Sequence, residues 1–180
     1  MPKALVHDPD GTSWLLRSVR ALRDGGCAPV VVVLGCEHER ATDLLEGQDV
    51  TAVVADDWAD GMGVSLRTGL QAAGRTEAAC ALVSLVDLPD VDAAVVARVL
   101  RAEVSDETVL VRAAYGGAPG HPVLLGRAHW DGVGTAAVGD RGARDYLARA
   151  RVSLVECGDL ASGRDVDSPQ KPVIEDRNGR

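Results

Sequence analysis

Ala81-Leu82-Val83-Ser84-Leu85-Val86-Asp87-Leu88-Pro89-Asp90-Val91 is a short apolar run that ends abruptly in two carboxylates around a proline. A run of this length, rich in Val and Leu and bounded by turn residues, reads as a buried parallel strand. Asp87 then falls at its C-terminal end, where open α/β sheets bind their ligands. A carboxylate there suits a hard cation such as magnesium. The same two aspartates also suit a turn and the entry to a helix starting near Asp92.

The flanking chain repeats a strand and helix alternation. Thr12 or Ser13 caps a helix that runs to about Asp24, with Leu15, Leu16, Val19 and Leu22 at helical spacing and Gly25-Gly26 as its stop. Pro29 to Leu34 is a strand, Gly35-Cys36-Glu37 opens a helix through Leu45, and Val50 to Ala55 is a second strand. An acidic loop from Asp56 leads into a helix that starts around Gly61-Met62-Gly63 and ends near Ala73. After the quoted strand, a helix spans Asp92 to Ala102. This pattern predicts an α/β doubly wound sheet with helices on both faces. Beyond it, Val109–Tyr115 and His121–Leu125 read as neighbouring strands around a glycine-rich loop at 116–120. Asp140–Ala150 reads as a helix and Val152–Cys157 as a strand. From Gln170 the chain is a polar tail. The expected organisation is one domain over residues 1–169 and a tail over 170–180.

Composition narrows the function. A formal net charge of -8 argues against general binding to nucleic acid or anionic membranes. No apolar run approaches the ~20 residues that span a bilayer, and Met1-Pro2-Lys3-Ala4 leads straight towards a polar turn, so a cytoplasmic location is expected. The four cysteines (Cys27, Cys36, Cys80, Cys157) form no CxxC pair and match no zinc spacing. Lysine occurs only at Lys3 and Lys171.

Three familiar chemistries are missing: there is no Walker A motif, no GxGxxG after a strand and no GxSxG elbow. The remaining ingredients are carboxylates at strand ends, glycines at helix entrances, an early lysine and a histidine between glycine and proline. Gly61-Met62-Gly63-Val64-Ser65 could let a ligand approach free backbone N–H groups, or could simply open a helix. His121, in Gly120-His121-Pro122, could contact a phosphate or a substrate carbonyl, or serve a local turn. Asp87 with Asp165 or Asp167 could hold a cation for phosphoryl or nucleotidyl transfer, or each could be a surface acid.

Taken in order, the motifs resemble the MobA-like nucleotidyltransferases, and within them the molybdenum cofactor cytidylyltransferase-type (MocA-like) proteins. The matching pieces are Pro2-Lys3-Ala4-Leu5, the PVVVVLG strand from Pro29, Trp58 to Leu70, Val86 to Val91, Gly117 to Leu124, Gly139-Asp140-Arg141-Gly142-Ala143-Arg144, and Asp165-Val166-Asp167-Ser168-Pro169. The resemblance implies a Rossmann-like, mostly parallel sheet. It implies attack of a substrate phosphate on the α-phosphate of an NTP, with magnesium and release of pyrophosphate. CTP would be the donor and molybdopterin the acceptor; the nearest enzymatic alternative uses GTP and a phospholactate-like acceptor. Lys3 would contact the triphosphate and Asp87 would hold magnesium with Asp167. Gly61, Met62 and Ser65 would line the base or ribose region. His121, Gly120 and Arg112 would face the acceptor.

One departure matters. The resemblance leads one to expect an apolar strand and a glycine-rich loop of the form LAAGxGxRMG ahead of Lys3, and neither is present in this sequence. That strand belongs near the centre of the sheet. The sequence alone leaves two explanations, a start assigned too late or a true truncated relative. On either, the 180-residue chain is expected to be weak or inactive, with two strand edges exposed and a homodimer through the gap as one consequence. A non-catalytic nucleotide- or protein-binding module is the non-enzymatic alternative.

Overall fold

A computed structural model describes residues 2–102 and 106–166. Six strands and six α-helices alternate along it: α1 (Trp14–Asp24), β1 (Val31–Leu34), α2 (His38–Leu44), β2 (Thr51–Val54), α3 (Met62–Ala73), β3 (Cys80–Val83), α4 (Ala93–Arg101), β4 (Leu110–Tyr115), β5 (Ala118–Gly126), α5 (Trp130–Ala136), α6 (Arg144–Leu147) and β6 (Ser153–Glu156). The fold is the expected α/β, Rossmann-like class. β1 and β2 form a parallel pair, and the remaining strands form a sheet of order β3-β5-β4-β6. Only β5 runs against its neighbours, β3 and β4; β4 and β6 are parallel.

Strand alternation sends successive side chains to opposite faces, and the core divides accordingly. Val111, Ala113 and Leu124 pack under Val95 and Val99 of α4. The intervening Leu110, Val123 and Leu125 pack against Leu70 of α3, Val133 of α5 and Leu147 of α6. A third cluster joins Val32 and Leu34 of β1 to Leu15 and Val19 of α1. α1 is capped as its sequence predicts, with Ser13 Oγ accepting from the Leu16 N–H.

The two sheets do not meet. Among the described residues, β1 pairs only with β2 and β3 only with β5. Between the facing edges lies an apolar cavity of about 520 Å³, walled by Val31–Leu34 and Cys80–Val83 and closed by side chains of α1 and α3. The interruption falls near the sheet centre, where the resemblance placed the absent strand. It also corrects the reading of β3 as a buried parallel strand. All four β3 residues are only half-buried, because one edge faces the cavity, and the single partner β5 is antiparallel.

Other differences are local. The loop read at 116–120 shrinks to a two-residue turn. Gly116 and Gly117 have φ 59° and 79°, the pair of positive angles that a tight hairpin with the right twist requires. The single helix expected over 140–150 is a 3₁₀ turn at Gly139–Arg141 followed by α6, broken by Gly142 at φ 53°. Glu37, also left-handed at φ 53°, delays α2 to His38. Helix α5 escapes the sequence pattern because it holds two glycines. Gly132 is there for packing: a Cβ would lie 2.6 Å from the Tyr146 ring. No described helix is long and apolar enough to cross a membrane. The tail at 170–180 lies outside the described residues.

Candidate functional site

Asp87 stands in a turn beyond the end of β3, not on the strand itself. Lys3 lies in a 3₁₀ turn, Lys3–Leu5, and brings its Nζ to 3.4 Å from Asp87 Oδ2. The ammonium also donates to the Val166 carbonyl at 2.8 Å, and the Val166 N–H donates to the Asp87 carbonyl at 2.9 Å. Three segments distant in sequence thus close on one point. The paired side chains keep 30% and 21% of their exposure, so the ion pair adds little to stability and mainly fixes orientation. Asp90 is turned away from this point: its Oδ2 accepts from the N–H and hydroxyl of Ser162, both at 2.6 Å. Among the described residues no group of three or more His, Cys, Asp or Glu is arranged to hold a metal ion. Asp167 lies outside the described residues.

The antiparallel course of β5 brings His121 to the same end of the sheet. Val83 pairs with Val123, so His121, two residues earlier, lies just past the end of β3. Burial pushes its imidazole down to about 4, with Arg112 acting in the same sense and Asp87 opposing. His121 is therefore a neutral donor and acceptor at neutral pH, not a cation. Its carbonyl accepts from the Tyr115 hydroxyl at 2.7 Å. Arg112, opposite Val123 on β4, donates through Nε to the Gly120 carbonyl at 2.7 Å. Burial, then the nearby Arg144 guanidinium, lowers the Arg112 pKa.

Met62, Ser65, Arg112 and His121 line the cavity, and Lys3 and Asp87 adjoin its wall residues Ala4 and Val86. The sequence reading left Gly61 two roles, a path for a ligand or a plain helix entrance. The space above it is filled: a Cβ there would lie 2.5 Å from the Gly139 carbonyl carbon. A Cβ on Gly63 would likewise meet the Ala137 oxygen at 2.5 Å. These glycines let α3 seat against the 137–140 segment, which Arg67 also holds through the Ala137 carbonyl. The segment then carries Arg141 and Arg144 onto the cavity wall. No site role was read for Arg144. Its only signal was its place in the Gly139–Arg144 motif, and proximity to Arg112 depends on packing between distant segments.

The fold and this clustering define an α/β domain with a cationic cleft at the ends of its strands. Residues 1–154 match the model of the MobA-like NTP transferase domain. A nicotine blue oxidoreductase from Paenarthrobacter nicotinovorans is 31% identical over 179 positions, covering 94% of this chain and 85% of that protein. The chain belongs to the MobA-like NTP transferase domain family, and so to the nucleotidyltransferases. Solved structures share the fold. A manganese complex of Rv0371C from Mycobacterium tuberculosis H37Rv has a TM-score of 0.74 at 23% identity, covering 92% of this chain and 86% of that one. A nucleotidyl transferase from Methanothermobacter thermautotroptrophicus has a TM-score of 0.76 at 21% identity, covering 92% and 79%.

Proposed function

We propose that the site transfers a nucleoside monophosphate from an NTP, CTP by preference, to a phosphorylated acceptor such as molybdopterin, with magnesium and release of pyrophosphate. The observation that carries the reading is the Lys3–Asp87 pair beside β3, next to His121 and Arg112. In this reaction an acceptor phosphate oxygen attacks the α-phosphorus, and the bond to the pyrophosphate oxygen breaks.

Each residue has a role set by its chemistry. Lys3 places a compact positive charge against phosphate oxygens as negative charge builds on the leaving group. Asp87 offers hard oxygens, and magnesium is commonly held by one or two carboxylates, the rest of its shell coming from phosphates and water. Asp87 thus suits that cation, and the family resemblance supplies Asp167 as the second carboxylate. A magnesium ion held there would supply positive charge to offset that of the phosphates. Neutral His121 supplies a hydrogen bond without attracting a competing anion. Met62 and Ser65 contact the base or ribose.

The reading includes weak turnover by the 180-residue chain, because no described strand joins β1 to β3. Calorimetry of this chain with CTP and magnesium is expected to show no micromolar binding; micromolar affinity contradicts that point. A chain extended at Lys3 by an apolar strand and a LAAGxGxRMG loop should release pyrophosphate from CTP in the presence of acceptor. A donor preference for GTP with a phospholactate-like acceptor would replace the substrate assignment, and nucleotide binding without release would leave a binding module. Association through the facing edges of β1 and β3 would give a homodimer, read by light scattering.

A second reading follows from the 31% identical relative named as an oxidoreductase. On that reading the protein catalyses a redox reaction of nicotine blue. Anaerobic bleaching of nicotine blue by the chain with a nicotinamide reductant tests it, and an unchanged spectrum removes it.

A further inference from the structure

We propose that Arg112 and Arg144 form a subsite for a phosphate dianion, and that this anion is the acceptor's phosphate. The identity of the anion rests on the transferase reading; the subsite itself rests on geometry. Both arginines line one cavity with His121 and Ser65, although they come from β4 and from the first turn of α6.

Of the three arginines on the cavity wall, Arg112, Arg141 and Arg144, only Arg141 has a carboxylate partner among the described residues. Across the described residues an arginine is held by a carboxylate at a few positions. Arg17, Arg40, Arg98 and Arg141 each sit beside one. Among the described residues, neither Arg112 nor Arg144 forms an ion pair. The two instead lie close enough for Arg144 to disfavour the charged form of Arg112. Two like charges on one cavity wall, one half-buried, are costly until an anion joins them.

The geometry is also set for a fork. Arg112 is anchored through Nε to the Gly120 carbonyl, which leaves both terminal nitrogens as parallel donors for two oxygens of one phosphate. Arg144 approaches from α6 and adds a second guanidinium. Arg112 holds the carbonyl next to His121, and His121 lies just past the end of β3, on the side of Asp87. The anion would therefore sit beside the Lys3–Asp87 pair, where an acceptor phosphate must be held to attack.

The test is calorimetric titration of the 180-residue chain, without nucleotide or metal, using inorganic phosphate, phenyl phosphate and tripolyphosphate. The parent should bind phosphate and phenyl phosphate. Arg144→Gln and Arg112→Gln should each weaken both by about tenfold or more, and Arg144→Lys should restore only part of the affinity. Arg40→Gln, at an exposed pair remote in sequence, should change nothing. Arg112→Gln could perturb the hairpin, so melting temperatures accompany the titrations and Arg144→Gln alone suffices for the decision. Phosphate that binds neither the parent nor any variant, or binds all equally, overturns the subsite. Losses confined to tripolyphosphate assign the pair to the donor and overturn the acceptor assignment. Arg144-dependent phosphate binding in a protein whose extended form never releases pyrophosphate removes the transferase reading and leaves the subsite standing.

Discussion

The two sheets differ in how completely they are covered. In β4 and β5, Val111, Ala113 and Leu124 are wholly buried, with helices on both faces and strands on both sides. In the β1–β2 pair, Thr51, Ala52 and Val54 are exposed, and β1 gives its second edge to the cavity. The larger sheet is a finished core. The smaller one is attached mainly through α1, α2 and α3. The candidate site lies on the seam, with Arg112 and His121 on the finished side and Lys3 reaching across from the segment before α1. A rigid wall therefore presents the arginines and histidine, and a lighter one closes on them.

Leu124→Ala should break this contrast most severely. It removes a fully buried side chain between the sheet and α4 and should cost about 3–4 kcal/mol in denaturant unfolding. A cost below about 1 kcal/mol would show that the larger sheet is not the stability core. The next effect is pH dependence at the seam. The folded His121 titrates at about 4 and an unfolded histidine near 6.5. Between these values the unfolded chain binds more protons, so stability falls as pH drops through the window and rises as pH increases. The full difference is about 3 kcal/mol. His121→Gln should flatten the stability profile between pH 6.5 and 4; a profile like the parent's would mean His121 is not held neutral.

Kinetic probes compare the walls more finely. Amides of β1 and β2 should exchange with deuterium faster than those of β4 and β5, and uniform protection would contradict a lightly attached pair. Among thiols, exposed Cys36 should be alkylated first. Cys27 should lag, because burial pushes its thiol up to about 11 and depletes the thiolate. The smallest effect belongs to Val54→Ala on exposed β2, within about 0.5 kcal/mol of the parent. A larger loss would give that strand a buried role in solution.

Much of the architecture was legible because local rules agree with the global fold. Ser13 caps α1 and Asp92 caps α4, and the apolar runs near 31, 51, 81 and 110 all became strands. The helix α5 was hidden because Gly132 serves Tyr146, not helix propensity. Half-burial of β3 was hidden because a sequence shows its own pattern but not the absence of a neighbour on one edge. Within the site, Lys3, Asp87, His121 and Arg112 were named from motifs, and the structure brings them together. The motif did not show that Gly61 and Gly63 serve packing of α3. Nor could it pair Arg144 with Arg112, a relation that exists only once α6 rests beside the sheet.

The most direct measurement is pyrophosphate release from CTP, with magnesium and molybdopterin, by the chain extended with the strand and glycine loop and by its Asp87→Asn variant. The account predicts release by the parent and a fall of about 100-fold or more in the variant, whose amide keeps the shape but loses the charge. Turnover by the variant at the parent's rate would contradict the role of Asp87 and, with it, the placement of the catalytic centre at the end of β3.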